Sequence, residues 1–221
     1  VKAKHEQRTS GEKVGEKIMR REKLEELQDY IKELKAKKIK LIEKPEKKTF
    51  LKIETYQCEL ENGSRLEREK LKKGKRDGSA AIILPITKEK NTILVVQPRV
   101  FMKNGVGIEL PAGYMEKEES PLMAAKRELE EETGYIPKEM IELARYYQDQ
   151  GCSAAYNYSY LAFGCEKEKQ QQLDSDEIIH YFECRLEEAY ELIEMGYIQD
   201  VQSQYTLEKA KTYIKKMNQG K

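Results

Sequence analysis

Leu24, Leu27, Ile31 and Leu34 recur at intervals of three, four and three in a stretch otherwise dominated by Lys and Glu. That spacing sets them along one stripe of a helix about two heptads long, with charged residues around the rest. A stripe this short favours an amphipathic helix lying on its own domain over a dimeric coiled coil. The segment KPEKK, with Pro45, reads as its exit. At Phe50 the period changes from helical to alternating. FLKIETYQCEL and RLEREKLKK flank the turn signal ENGS, which predicts a hairpin over residues 50 to 75.

Beyond Asp77-Gly78, SAAIILPI and TILVVQ are short apolar runs of buried-strand type, joined by KEKN. GVGIELPAG reads as one further strand ending in glycine. SPLMAAKRELEEETG is a helix with defined ends. Ser120 can cap it, Pro121 suits its first turn, Gly134 can close it, and Leu122, Ala125 and Leu129 are its inward residues. Strands follow at IELARYYQ, YNYSYLAFG and EIIHYFECR, then helices at LEEAYELIEMG and YTLEKAKTYIKKM. The order predicts an α+β fold, a mixed sheet with one central helix and others at its periphery. Tyr156, Tyr158 and Tyr160 share one strand face, a pattern of core or interface rather than of a site.

Composition narrows the function. Lys and Arg number 41 and Asp and Glu 40, a net charge of +1, so no global field recruits nucleic acid or a membrane surface. The four cysteines, Cys58, Cys152, Cys165 and Cys184, form no CxxC pair and read as free buried thiols. With two histidines, His5 and His180, a His-rich zinc site is excluded. No apolar run approaches the roughly 18 residues that span a bilayer, and no signal peptide is visible, so a cytoplasmic protein is expected.

The chemistry concentrates in the capped helix. Glu128, Glu131 and Glu132 stand at i, i+3 and i+4, on one face. Three carboxylates there repel one another unless a cation neutralises them, and hard oxygen ligands select Mg²⁺ or Mn²⁺. Arg127 can brace a neighbouring carboxylate with a two-pronged bond. Glu130 is expected to point to solvent. The preceding loop adds Glu116, Glu118 and Glu119.

The full pattern is Gly113, five residues, Glu119, seven residues, Arg127-Glu128-Leu129, one residue, Glu131-Glu132, one residue, Gly134-Tyr135. It resembles the Nudix box at every defining position. The resemblance implies a Nudix fold, a mixed sheet sandwiched by helices, and hydrolysis of a nucleoside diphosphate linked to another group. It implies metal binding by Glu128, Glu131 and Glu132 with the carbonyl of Ala112, a positioning role for Arg127, and a loop-supporting role for Glu119. ELPAG before the box, Gln97-Pro98-Arg99 and the hairpin are similar to the ADP-ribose pyrophosphatase branch. That likeness implies a homodimer built through the N-terminal strands, and a phosphate or ribose contact for Arg99. The general base would come from LDSDEII, where Asp174, Asp176 and Glu177 are the candidates. The chain then divides into a charged helical segment (1–48), a strand hairpin for dimerisation (49–76) and the hydrolase domain (77–221).

The expected reaction is Mg²⁺-dependent cleavage of a nucleoside diphosphate sugar, with ADP-ribose giving AMP and ribose 5-phosphate. Two departures bear on the substrate. Gln150 precedes Gly151 where that branch commonly has proline, and the chain contains no tryptophan to stack on a base. Phe50 and Tyr56 are the nearest aromatic residues on the hairpin. The alternatives are a dinucleoside polyphosphate, a nucleoside triphosphate, an RNA 5′ end, or a non-catalytic ADP-ribose sensor.

Overall fold

The computed structural model describes residues 19–37, 50–74 and 76–219. His5 and KPEKK lie outside the described residues. Helix α1 (Arg21–Ala36) comes first, followed by β1 (Leu51–Glu59) and β2 (Arg65–Lys73). These strands form an antiparallel ladder of their own, in register from Leu51↔Lys73 to Glu59↔Arg65. Asn62 shapes the connecting turn, its Oδ1 accepting from the Ser64 amide and hydroxyl. The hairpin meets the rest of the chain where the Leu71 amide donates to the Cys152 carbonyl and Phe50 lies against Tyr114.

The main sheet contains β3 (Ala80–Thr87), β4 (Asn91–Pro98), β5 (Val106–Glu109), β6 (Ala112–Tyr114), β7 (Tyr135–Ile136), β8 (Glu139–Tyr147), β9 (Tyr156–Lys167) and β10 (His180–Arg185). Its spine runs β10-β4-β3-β9-β7, with β5 on β4, β6 on β3 and β8 on β9. Among the described strands of this sheet only β3 and β9 pair in parallel, so the sheet is mixed, as predicted.

The alternation in β3 divides the core. Ala81 and Ile83 face α2 (Pro121–Thr133), where Ala124, Ala125 and Leu129 are buried. Ile82 and Leu84 face the opposite layer, made by α1, α3 (Leu186–Glu194) and α4 (Val201–Gln219). The stripe of α1 is spent there. Leu27 and Leu34 are buried, with Leu24 and Ile31 packed beside them, so α1 lies on its own domain. Each such leucine contributes about 1.5–3 kcal/mol of burial, and the Arg20–Glu188 ion pair anchors the start of the helix to α3.

Several expectations need correction. GVGIELPAG is two strands, because Pro111 has no N–H to continue a ladder. Its carbonyl accepts from Ile83, β5 stays with β4, and β6 crosses to β3. Leu122 stays exposed and Ala124 is buried instead, since angular position on a helix does not reveal where the facing surface ends. Helix α4 begins at Val201, four residues before the expected start, and β10 begins at His180. Cys58 and Cys152 are exposed, leaving Cys165 and Cys184 as the buried thiols. Glu130 is half-buried and ion-paired with Lys169 rather than solvated.

Candidate active site

Helix α2 has the ends its sequence predicts. Ser120 Oγ accepts from the Met123 amide at 3.2 Å, and Gly134 closes the helix with its amide on the Glu130 carbonyl. Between these caps the acidic face turns toward β6. Glu132 is fully enclosed, and its Oε2 accepts from the Ala112 amide at 3.1 Å. The Glu128 carboxylate lies against Gly113, where any Cβ would overlap it. The box glycine is thus a requirement of space.

Arg127 holds the cluster together. Its Nε and Nη2 donate to Glu119 at 2.9 and 3.0 Å, its Nη1 to Glu128 and Glu131 at 2.7 and 2.8 Å, and Nη2 also to the Tyr114 carbonyl. Glu119 in turn accepts from the Glu116 amide, which fixes the loop before the helix. A single guanidinium therefore serves three carboxylates.

It holds the Glu119 carboxyl below its usual range but does not relieve Glu128. Burial pushes the Glu128 carboxyl up to about 7 against the opposing pull of Arg127, with Glu131 and Glu177 adding repulsion. Burial, and then the neighbouring Glu128, push Glu132 well above the usual carboxylate range. Among the described residues no three acidic, His or Cys side chains converge as a ready-made metal cage. The donor set nonetheless fits a hard divalent cation. Crowded, buried carboxylates that hold each other's protons are what such an ion relieves.

Of this cluster Glu132 lines a cavity of about 420 Å³, together with Arg99, Glu109, Ala112, Gly113, Tyr114 and Glu177, among others, whereas Arg127, Glu128 and Glu131 stand outside its lining. Arg99 lines it, and both prongs of its guanidinium are bonded to Glu109, at 2.7 and 2.6 Å. Of the acidic-loop candidates, Glu177 lines the cavity and lies in the electrostatic reach of Glu128 and Glu132. Asp174 and Asp176 are exposed and do not line it. Asp174 instead shapes the loop, its amide donating to Glu177 Oε2 and its carbonyl accepting from the Glu177 amide.

Glu109, Gln171 and Asp200 are not among the residues expected from the sequence, and the fold brings them beside the site. Gln171 Nε2 donates to the Glu132 and Ile179 carbonyls and stitches the acidic loop to the end of α2. Glu109 had a visible signal, a charge inside the apolar run VGIEL. Asp200 had one too, an Asp three residues before Ser203 at a helix start. The tyrosines of β9 are structural. Tyr160 is buried, and Tyr156 and Tyr158 meet edge to face.

The NUDIX domain family matches residues 76–206. An ADP-ribose pyrophosphatase of Bacillus subtilis is 34% identical over 151 residues, covering 68% of this chain and 79% of that protein. A methanol dehydrogenase activator of Bacillus methanolicus shares the same identity and coverage. A CMP-5′-(N-acetyl-N-hydroxy-3-aminopropyl)phosphonate hydrolase of Streptomyces rubellomurinus is 33% identical, covering 53% of this chain and 54% of its own length. Among solved structures, an ADP compounds hydrolase superposes with a TM-score of 0.67 at 20% identity, covering 79% of this chain and 92% of that one. That likeness concerns the fold alone.

Proposed function

This chain belongs to the Nudix family of hydrolases, which act on diphosphate-linked nucleotides, and from that premise we propose that it cleaves the diphosphate of a nucleoside diphosphate sugar. ADP-ribose, giving AMP and ribose 5-phosphate, is the first substrate to try. The observation that carries this reading is the cavity that begins at Glu132 and Gly113 and continues past Arg99 to Glu109 and Asp200. It offers a carboxylate-rich end for the diphosphate and further polar wall beyond it.

In this reading Glu128, Glu131, Glu132 and the Ala112 carbonyl hold Mg²⁺, with Mn²⁺ as the alternative ion. When bound, the metal neutralises the diphosphate and acidifies a water. Arg127 positions Glu128 and Glu131. Glu177 takes the proton of the attacking water, with Asp176 the less favoured candidate because it does not line the cavity. Arg99 exchanges its bond to Glu109 for one to a phosphate oxygen. Water adds to one phosphorus, the bridging P–O bond breaks, and the leaving phosphate carries away the electron pair.

The exposed apolar side chains of the hairpin support a homodimer. Leu51, Ile53, Tyr56 and Leu66 are exposed on a two-stranded ladder, with Leu60 exposed at its turn, and such a ladder is marginal by itself.

The test is a panel of nucleotide sugars, dinucleoside polyphosphates and nucleoside triphosphates with Mg²⁺, with products identified by mass. A nucleoside monophosphate and a sugar phosphate are expected. Inorganic pyrophosphate released from a triphosphate as the main product would replace this reading with a triphosphatase. Binding of ADP-ribose without cleavage would make the protein a sensor.

A further inference from the structure

Helix α2 carries the acidic face, whereas Glu177 stands on the loop between β9 and β10. Strands β7, β8 and β9 separate the two in sequence, so hydrogen bonds must set their spacing. The last carbonyls of a helix find no donor within it and must be served from outside. In α2 the segment that follows β9 serves them. The Gln172 amide donates to the Glu131 carbonyl at 2.9 Å, and Gln171 Nε2 to the Glu132 carbonyl at 2.5 Å. The amides of Glu168 and Lys169 both donate to the Gly134 carbonyl, at 3.1 Å. Two of these carbonyls belong to Glu131 and Glu132, whose side chains are on the acidic face.

Gln171 does more than cap the helix. The same Nε2 donates to the Ile179 carbonyl at 3.3 Å, across the neck of the loop that holds Glu177. A carboxamide nitrogen carries two N–H groups and can serve both carbonyls at once. Beyond the neck, the Asp174 amide donates to Glu177 Oε2 at 3.0 Å, which restrains the carboxylate. Glu177 is thus tied to its loop, and the loop is tied to α2 through one side chain.

That side chain does not line the catalytic cavity. It borders a second cavity of about 390 Å³, which shares no lining residue with the first. Gln171 therefore bears on the reaction only through the groups it holds.

We propose that Gln171 is a positioning residue for hydrolysis, setting the gap between Glu177 and the acidic face of α2. This inference rests on the reading above in which Glu177 takes the proton of the attacking water. A general base acts only within hydrogen-bond reach of its proton, and a misplacement of about 1 Å can cost on the order of 100-fold in rate. The groups proposed to hold Mg²⁺ all lie on α2 and β6, so loss of Gln171 slows turnover without weakening the metal.

The experiment measures kcat and KM for ADP-ribose, or for the fastest-cleaved nucleotide of the panel above, with Mg²⁺ affinity by calorimetric titration. Wild type, Gln171→Met, Glu177→Gln and the double variant are compared below their melting temperatures. Methionine matches glutamine in length but has no donor. Gln171→Asn, whose amide falls one methylene short, repeats the cycle with a milder break. For both Gln171 variants kcat should fall about 10-fold or more, with KM and Mg²⁺ affinity close to wild type. In the Glu177→Gln background the same substitutions should lower kcat no further, because a residue that acts through another adds nothing once that group is gone.

Additive losses in the double variants, or a fall in Mg²⁺ affinity that matches the fall in kcat, would make Gln171 a structural cap of α2 and overturn the inference. Full activity of Glu177→Gln would also overturn it, by removing the group to be positioned, and would leave the hydrolase reading intact. Wild type that cleaves nothing on the panel would overturn both.

Discussion

Arg99 grips Glu109 with both prongs of its guanidinium, Nε to Oε1 at 2.7 Å and Nη2 to Oε2 at 2.6 Å. The pair spans β4 and β5 across Gly107, where a Cβ would overlap the Glu109 carboxylate and crowd the Arg99 stem. The pairing holds Arg99 in a defined pose at the cavity wall, and under the proposed function a phosphate would compete with Glu109 for it. Arg99→Lys keeps the charge but loses the fork. We expect kcat/KM for ADP-ribose to fall about 10-fold in that variant, mostly through KM. Unchanged kinetics would remove Arg99 from the site.

Glu132→Gln separates chemistry from folding. The carboxamide oxygen of the variant can still accept from the Ala112 amide, and a neutral group replaces a carboxylate whose ionisation burial opposes. Turnover with Mg²⁺ should drop by at least about 100-fold. The melting temperature should hold or rise. A large fall in melting temperature would instead make Glu132 a structural residue.

Gly113→Ala tests the same site without changing any charge. The new Cβ displaces the Glu128 carboxylate from its place against the strand. Mg²⁺ or Mn²⁺ affinity, read by calorimetric titration, should weaken about 10-fold. Wild-type affinity in this variant would mean that Glu128 binds no metal.

Glu188 gives the fold an acid-sensitive anchor. Burial alone would raise its carboxyl, but the Arg20 side chain and amide, with the amide and side chain of Arg185, outweigh that and hold it at about 2. A folded-state value below the unfolded one, near 4.5, contributes stability above that pH, and this is lost as pH falls toward 2. Glu188→Gln should therefore cost up to about 3 kcal/mol at neutral pH. The gap between variant and wild type should close between pH 4.5 and 2 in urea unfolding. A gap that does not depend on pH would assign the cost to packing.

Ile53→Asp bears on assembly. Ile53 is 67% exposed on β1, so the substitution removes no core contact. If the hairpin joins two copies, sedimentation velocity should show wild type as a dimer and the variant shifted toward monomer. Identical sedimentation of the two would leave the hairpin without that role.

Much of this protein was legible in its sequence because the physics involved is local. Ser120 and Gly134 mark the ends of α2, and the stripe from Leu24 to Leu34 gives α1 its docking face. The spacing from Gly113 to Tyr135 identifies the acidic helix face. A helix period needs only the residues on that helix, and so does the repulsion among Glu128, Glu131 and Glu132.

What the tertiary structure decided depends on partners distant in sequence. Pro111 divides one apolar run between two neighbours, a division set by where β3 and β4 lie. Among three acidic residues in one loop, Glu177 alone lines the cavity, because Gln171 ties that loop to α2. Arg99 turns out to be committed to Glu109, and Asp200 shares their wall only because Ser203 fastens α4 to Leu110. Periodicity reports which way a side chain points along its own element. It carries no record of which distant group that side chain will meet, and here those meetings are Arg99 with Glu109 and Gln171 with Glu132.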